Sequence, residues 1–244
     1  MGKVKYKTSA QNEWNERTDL IKPQKAGKPF FHELLYEQLK NGQGKTCIEL
    51  GAIPGNYLVY FHSLGYRVAG LDFADNAIKF EETMKINGIK KYKFIKAEIM
   101  SYQVDTQYDL VASFGFIEHF DNLEGILSKH IDLVAPGGLL LITVPNFRYI
   151  QWLYHRVFDA DNLSIHNIDA MRPGRIHGYL TKNGLRMVEN KTYGRAEFWY
   201  EDAQKNTFLG SLRNRVTARL NTTFGKINNG KMTAPYQVYL YKKV

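Results

Sequence analysis

Short apolar runs alternate with amphipathic segments along the chain from residue 46 to residue 146. The apolar runs have the length of single strands, and residues at helical spacing, such as Leu123, Ile126 and Leu127, lie between them. Strands that alternate with helices are typical of βαβ units, which build a parallel sheet covered by helices on both faces. We therefore predict an open, doubly wound α/β sheet. The predicted strands cover residues 46–51, 67–73, 92–99, 108–114 and 139–144.

This alternation stops after Asn146. Residues 147–180 have the pattern of one helix followed by a polar loop that contains histidines, and strand-like runs return at 184–190 and 236–241. An apolar stripe between these two strands predicts a further helix. We therefore divide the chain into an N-terminal helical arm over 1–45, a cofactor-binding core over 46–146, and a C-terminal region over 147–244 that holds a cap insertion and the last strands of the sheet.

The composition is that of an ordinary globular protein. Hydrophobic residues make up 44% of the 244 residues and charged residues 23%, which excludes disordered, collagen-like and coiled-coil chains. The N-terminal sequence lacks the apolar segment of a signal peptide, and no apolar run approaches the roughly 20 residues of a membrane span, so we expect a cytoplasmic protein. The single cysteine, Cys47, excludes an internal disulfide and a cysteine-based zinc cage, and we predict no metal site.

The net charge of +9 is unevenly distributed. Residues 1–48 carry 9 basic and 5 acidic side chains, residues 49–146 carry 8 and 12, and residues 147–244 carry 16 and 7. The middle of the chain is therefore acidic, and the basic excess belongs to its two flanks. Basic flanks suit an anionic partner, such as an acidic small molecule or RNA, and equally a solvated surface.

The turn after the first predicted strand has the sequence Glu49-Leu-Gly-Ala-Ile-Pro-Gly55. In a doubly wound sheet a nucleotide binds at this edge, where glycines let backbone N–H groups approach the ligand. Asp72 ends the second predicted strand 21 residues after Gly51, at about the spacing of a carboxylate that binds ribose hydroxyls. The dinucleotide pattern G-x-G-x-x-G is absent, and Glu49 suits an amine-bearing ligand better than a pyrophosphate. Of the two cofactors that fit such a turn, S-adenosylmethionine is therefore favoured over NAD.

Five segments resemble, in order, the motifs of the class I S-adenosylmethionine-dependent methyltransferases. Motif I of that family, E-x-G-x-G-x-G, is similar to residues 49–55, and the acidic second motif, which holds the ribose, is similar to Leu71-Asp72-Phe73. The third motif, which recognises adenine, resembles residues 96–99. The fourth-strand motif of the small-molecule branch and the lead into the fifth strand resemble residues 108–120 and 133–142.

The resemblance implies a seven-stranded, mostly parallel Rossmann-like sheet and methyl transfer from S-adenosyl-L-methionine, with S-adenosyl-L-homocysteine as the product. One departure is Ile53, at the position of the middle glycine of motif I, because a β-branched residue does not readily adopt positive φ. Ile53 keeps open the alternative of a non-catalytic, methyltransferase-like binding protein. The residues that the resemblance assigns to the cofactor are Glu49, Gly51, Ala52, Gly55, Asn56, Asp72, Phe73, Glu98, Ile99, Ser113, Phe114 and Gly115.

Methyl transfer from a sulfonium is a direct displacement, so the protein aligns the acceptor, excludes water and removes a proton where the acceptor carries one. His119 follows the fourth predicted strand beside the expected methyl donor and is our candidate general base, with a structural role for the Glu118–His119 pair as the alternative. The sequence lacks the Asp/Asn-Pro-Pro-Tyr motif of amino methylation on nucleic-acid bases, and Cys47 is misplaced for covalent attack on a pyrimidine.

The sequence thus favours a small or medium-sized, anionic acceptor that is methylated on oxygen or nitrogen. The basic flanks support such an acceptor, and they keep methylation of RNA, or of protein, as an alternative. We expect no membrane partner, and the pattern leaves the oligomeric state open. The candidate acceptor-binding residues, all outside the core, are Trp14, Arg17, Arg148, His166, Arg172, His177 and Trp199.

Overall fold

The structure is a computed structural model, and two of the predicted acceptor-binding residues, Trp14 and Arg17, lie outside its described part. None of the described helices combines the length and the hydrophobicity that a membrane span requires. The described residues are 15, 18–200, 208–228 and 230–244.

Seven strands form one sheet at the centre of the protein. They are β1 Thr46–Leu50, β2 Arg67–Asp72, β3 Lys93–Lys96, β4 Tyr108–Phe114, β5 Val134–Pro145, β6 Leu185–Tyr193 and β7 Tyr236–Lys243. Their order across the sheet is β3-β2-β1-β4-β5-β7-β6. The first five strands run parallel, and β7 is antiparallel to both of its neighbours. The predicted seven-stranded, mostly parallel sheet is therefore confirmed.

Helices cover both faces of this sheet. Alternate residues of a strand point to opposite faces, and accordingly Ile48 of β1 belongs to one buried hydrophobic cluster while Cys47 belongs to the other. Because both faces are buried, the central strands β1, β4 and β5 are mostly apolar, whereas the edge strand β3 carries a lysine at each end. The helices of the described residues are α1 His32–Leu39, α2 Asn56–Ser63, α3 Ala77–Ile86, α4 Leu123–Leu133, α5 Tyr149–Phe158, α6 Ala160–Ser164, α7 Pro173–Lys182 and α8 Phe208–Phe224.

The prediction of a polar loop at the end of 147–180 is wrong, since this stretch contains α6 and α7. Pro173 stands at the first position of α7, where its fixed φ favours a helix and no N–H is needed. Ile176 and Leu180 are both fully buried and lie one helical turn apart. Because the other faces of α7 carry many polar residues, the helical spacing of these two apolar residues is hard to recognise in the sequence.

The strand order reverses at β1, because β2 and β3 lie on one side of it and β4 and β5 on the other. In an open α/β sheet, ligands bind outside the carboxyl ends of the strands at such a switch point. The segments that meet there are the turn after β1, the end of β2 and the segment after β4. Residues that are distant in sequence thus come together at one edge of the sheet, which we call the carboxyl edge.

Candidate active site

The turn between β1 and α2 lies at the carboxyl edge. Gly51 and Gly55 have φ values of +71° and +95°, which favour glycine. A Cβ atom at Gly51 would lie 2.6 Å from the ring of Phe116. Ile53 is not one of the described residues with positive φ. Its N–H donates a hydrogen bond of 3.1 Å to Asp72 Oδ2. The turn therefore closes without positive φ at Ile53, and the departure from motif I does not disrupt it.

Asp72, at the end of β2, is buried beside this turn. Its carboxylate accepts hydrogen bonds from the N–H groups of Ile53 (3.1 Å) and Ala74 (3.0 Å). Burial raises the pKa of Asp72, and the backbone hydrogen bonds oppose this rise. The two N–H donors fix the direction of the carboxylate and leave lone pairs free to accept hydrogen bonds from hydroxyl groups. Asp72 therefore fits the ribose of a nucleoside.

Glu49, on β1, is the second carboxylate of the site and is also buried. Its Oε2 atom has no hydrogen-bond partner in the described part of the chain. Burial, together with the negative charge of Asp72, raises the pKa of Glu49 well above its usual range. A buried carboxylate oxygen without a partner is destabilising unless a ligand supplies a donor or a positive charge. The amino group of S-adenosylmethionine would supply both.

Two cavities meet at the turn. Asp72, Phe73 and His119 line the first cavity, whereas Glu49 and Asn56 line the second. Both cavities are also lined by Gly51, Ile53 and Phe114. A ligand with a nucleoside at one end and an amino acid at the other would thus find a carboxylate at each end. The residues present fit S-adenosylmethionine.

Eight of the twelve predicted cofactor residues line these two cavities, and four do not. Glu98 accepts hydrogen bonds from the N–H groups of Met100 (2.8 Å) and Ser101 (2.7 Å), so its carboxylate fixes its own turn. The other three are buried: Ala52 and Ile99 belong to the hydrophobic clusters, and Ser113 contacts a histidine. The eight lining residues are Glu49, Gly51, Gly55, Asn56, Asp72, Phe73, Phe114 and Gly115.

Ser113 forms a hydrogen bond with His130 of α4, behind the site. His130 Nδ1 lies 2.7 Å from the carbonyl oxygen of Ile126, so Nδ1 carries the proton. Its Nε2 atom therefore accepts a hydrogen bond from the Ser113 hydroxyl at 3.0 Å. Burial lowers the pKa of His130 to about 4, which keeps the ring neutral at pH 7. The pair ties α4 to β4 next to the first cavity.

Three buried side chains with metal-ligand chemistry come together beside the first cavity: Glu118, His119 and His166. One ligand atom from each lies within 4.8 Å of the other two. A short 3-10 helix, Ile117–His119, positions the first two, and His166 follows α6. The sequence indicates His119 and His166 as separate candidates but not their convergence, because 47 residues separate them and no spacing signal connects them.

Asn167 connects the two segments that carry this cluster by hydrogen bonds. Its N–H donates to the carbonyl oxygen of Glu118 at 2.7 Å, and its Nδ2 donates to the carbonyl oxygen of Phe120 at 2.9 Å. These two hydrogen bonds flank His119, so the segment after β4 is held against the residue next to His166. The ring centroids of His119 and His166 are 4.8 Å apart.

Trp199, His166 and Arg148 lie near the carboxyl end of β5. Phe147, two residues after that strand, has its ring centroid 5.8 Å from that of Trp199 and 5.0 Å from that of His166. Arg148 comes next, with its guanidinium 4.8 Å from the ring centroid of Tyr149. The structure thus brings these three predicted acceptor residues to the same edge as the cofactor turn.

Arg172 and His177 lie elsewhere. Arg172 forms an exposed ion pair with Asp169, with Nε and Oδ1 3.2 Å apart. His177 Nδ1 lies 2.8 Å from the hydroxyl of Tyr241, a residue that pairs with Leu140 of β5. Leu140 lies five residues before the carboxyl end of that strand, about 16 Å along it, so His177 packs against a part of the sheet away from the carboxyl edge. The structure brings neither residue to the two cavities.

The N-terminal arm reaches the first cavity through Thr18 and Ile21, which help to line it. Asn76, just before α3, donates from Nδ2 to Thr18 Oγ1 at 2.7 Å and to the carbonyl oxygen of Asn15 at 3.0 Å. Lys79 donates from Nζ to the carbonyl oxygen of Ile21 at 2.9 Å. Sequence analysis missed these contacts, since Thr18 and Ile21 carry no motif.

Comparisons with known proteins agree with this geometry. A family model described as a methyltransferase domain matches residues 24–190. The chain is 26% identical over 157 residues to the ubiquinone biosynthesis O-methyltransferase of Burkholderia vietnamiensis, covering 61% of this chain and 67% of that protein. It is 24% identical over 115 residues to a probable (S)-tetrahydroprotoberberine N-methyltransferase 2 of Papaver bracteatum, covering 46% of this chain and 32% of that protein.

Two solved structures share the fold. One is a SAM-dependent methyltransferase from Thiobacillus denitrificans in complex with S-adenosyl-L-homocysteine, with a TM-score of 0.63, 17% identity, and coverage of 95% of this chain and 98% of that chain. The other is the N-methyltransferase NodS from Bradyrhizobium japonicum, also with S-adenosyl-L-homocysteine, with a TM-score of 0.57, 12% identity, and coverage of 96% and 98%.

Proposed function

The chain belongs to the methyltransferase domain family and is a class I S-adenosylmethionine-dependent methyltransferase, and on this premise we propose that it methylates an oxygen or nitrogen of a small or medium-sized, anionic acceptor. The bound S-adenosyl-L-methionine supplies an electrophilic methyl group. Glu49 and Asp72 are the groups of this chain that would hold its amino and ribose ends. The named relatives, an O-methyltransferase and an N-methyltransferase, support methylation of a heteroatom in a small molecule.

The observation that carries the proposal is the set of side chains at the carboxyl end of β5. Arg148 lies there, partly exposed, one residue after Phe147, and Trp199 packs against Phe147 from the C-terminal region. A guanidinium next to aromatic faces matches a flat molecule that carries a carboxylate or phosphate. The C-terminal region also carries 16 basic against 7 acidic side chains, which supports attraction of an anion.

Two parts of the chain complete the proposal. The arm over 1–45 covers the cofactor, as the cavity contacts of Thr18 and Ile21 suggest. The region over 147–244 covers the acceptor, which agrees with the positions of Trp199 and His166. His119 lines the first cavity and also contacts His166 of the C-terminal region, so it lies between the proposed cofactor and acceptor sides.

The proposal is tested with matched pairs of acceptors that differ only in charge. Hydroxylated and aminated aromatic carboxylates are compared with their methyl esters in the presence of S-adenosyl-L-methionine, and the methylated product is measured by mass spectrometry. We expect the acids to have the higher kcat/KM, and Arg148→Gln to reduce that preference about tenfold by raising KM. Equal kcat/KM for acids and esters would overturn the proposal.

RNA methylation is the competing outcome of the same assay. Binding that depends on several phosphate contacts weakens steeply with salt, whereas binding of one small anion weakens only slightly. Transfer to RNA that falls by orders of magnitude between about 50 mM and about 200 mM salt, with no transfer to the acids, would replace the small-molecule acceptor by RNA.

A further inference from the structure

The cluster of Glu118, His119 and His166 contains a buried carboxylate that the cofactor site leaves unexplained. Glu118 is 1% exposed, and neither of its carboxylate oxygens has a hydrogen-bond partner in the described part of the chain. Burial raises the pKa of Glu118 to about 8. A carboxyl group in such surroundings is destabilising unless a donor or a cation meets it. The two nearby imidazoles show which kind of cation the pocket suits.

His166 is oriented as a metal-ligating histidine. Its Nδ1 atom lies 2.7 Å from the carbonyl oxygen of Asn162, so Nδ1 carries the proton and Nε2 presents the lone pair. Ligating histidines regularly donate their other N–H to a carbonyl or carboxylate in this way, which fixes both the tautomer and the ring. The backbone around the cluster is equally fixed, through the two hydrogen bonds of Asn167 described above.

We propose that Glu118, His119 and His166 bind a divalent transition-metal ion such as Zn²⁺. Two imidazole nitrogens and one carboxylate oxygen are a donor set of zinc sites that keep a fourth position open. Since the three ligand atoms lie within 4.8 Å of one another, a point within about 2.8 Å of all three exists, and shifts of about 0.7 Å would reach the 2.0–2.2 Å of Zn²⁺ ligation. Small side-chain rotations are enough for that.

The ion would be reached from the first cavity, because His119 lines that cavity. A hydroxyl oxygen that coordinated the ion would lose its proton to solvent in this cavity more readily than a free hydroxyl would, since the ion would stabilise the oxyanion. This role rests on the proposed function, whereas binding of the ion does not. A nitrogen of His119 that ligates the ion cannot also accept the proton of the acceptor. Ion binding therefore competes with the general-base role that the sequence predicts for His119.

The test is binding of Zn²⁺ to the full-length, metal-stripped protein, by calorimetry and by metal analysis after gel filtration. We expect one ion per chain, and Glu118→Gln and His166→Ala each to weaken binding at least tenfold. His62→Ala, which removes an exposed histidine on α2, should bind as the wild type does. A cobalt-loaded sample should show the visible absorption of a four- or five-coordinate nitrogen and oxygen site.

Binding of S-adenosyl-L-homocysteine separates this proposal from the cofactor site and from misfolding. Each variant should bind it with an affinity within about threefold of the wild type, which shows that the sheet and the turn are intact. A wild type that binds S-adenosyl-L-homocysteine but takes up less than a tenth of an equivalent of Zn²⁺ would overturn the metal site. The metal site would also be overturned if His62→Ala lost as much Zn²⁺ binding as Glu118→Gln and His166→Ala.

Discussion

At the scale of single residues, Gly51 shows why the turn after β1 requires glycine. Its φ of +71° is unfavourable for a side chain, and a Cβ atom would lie 2.6 Å from Phe116. Phe116 belongs to the segment that leads to His119, so a clash there would shift the wall of the first cavity. Gly44 offers a matched control, because its φ is +79° but nothing lies within 4 Å of its Cβ position.

We therefore expect Gly51→Ala to weaken binding of S-adenosyl-L-homocysteine by more than tenfold. Gly44→Ala carries the same backbone penalty, roughly 1–2 kcal/mol, and should lower Tm without changing the dissociation constant. Isothermal titration calorimetry and thermal denaturation of both variants measure the two effects. Equal affinities for Gly51→Ala and Gly44→Ala would show that the turn does not contact the cofactor.

Glu49 gives the cofactor site a dependence on pH. Because its pKa is raised in the free protein, lowering the pH protonates Glu49 earlier than an exposed carboxylate and removes the charge that an amino group needs. Affinity for S-adenosyl-L-homocysteine should therefore rise with pH until Glu49 is ionised and stay constant above that. Asp72, whose pKa is also raised, titrates beside it, so only the difference between wild type and variant isolates Glu49.

Glu49→Gln should lose a charge-assisted hydrogen bond of about 1.5–3 kcal/mol, or roughly 10- to 100-fold in dissociation constant. It should also flatten the rise in affinity at pH values above the range in which an exposed carboxylate ionises. Calorimetric titrations across these pH values measure both. If the affinity of Glu49→Gln rose with pH as steeply as that of the wild type, the titrating group would be Asp72 and not Glu49.

At the scale of elements, the contact between the arm and α3 decides how the first cavity is covered. Asn76 joins the two through Thr18 and Asn15, and Lys79 adds a hydrogen bond to the carbonyl oxygen of Ile21. Asn15, Thr18 and Asp19 are helical residues of the arm, and the hydrogen bonds that join them to Asn76 are all polar side-chain contacts. The position of the arm therefore depends on these polar contacts, which are individually weak.

Asn76→Ala should weaken binding of S-adenosyl-L-homocysteine about three- to tenfold, mainly through faster dissociation, because the arm opens more often. Its Tm should change by no more than a few degrees, since the sheet is untouched. Asn183→Ala, which removes an exposed side chain at the end of α7, is the control. Stopped-flow displacement measures the dissociation rates, and an unchanged rate for Asn76→Ala would rule out a covering role.

At the scale of the whole molecule, the sheet order explains why one edge carries all the chemistry. The five parallel strands end on the same side, so the turn after β1, Asp72 after β2 and His119 after β4 face a common space. β6 returns the chain to this edge at Tyr193, and the antiparallel β7 leaves it from Tyr236, which pairs with Pro145. The basic C-terminal region is therefore next to the acidic core at the edge where the acceptor would enter. The regions of opposite net charge in the sequence are thus neighbours in the structure.

The sequence by itself determined the fold and predicted most of the residues that line the two cavities. Short apolar runs mark the strands, and glycines and a carboxylate at strand ends are local signals, so β4 was predicted residue for residue and eight of the twelve predicted cofactor residues line the cavities. Glu98 is an exception, because motif similarity does not show that its own turn occupies its carboxylate.

Only the tertiary structure decided the rest. Ile53 departs from motif I in the sequence, and only the structure shows that the turn closes without positive φ at this residue. His166 joins His119 only because α6 and Asn167 fold a 47-residue excursion back onto the segment after β4. Long-range packing of this kind depends on the sum of many contacts, whereas sequence patterns report only what neighbours along the chain can do.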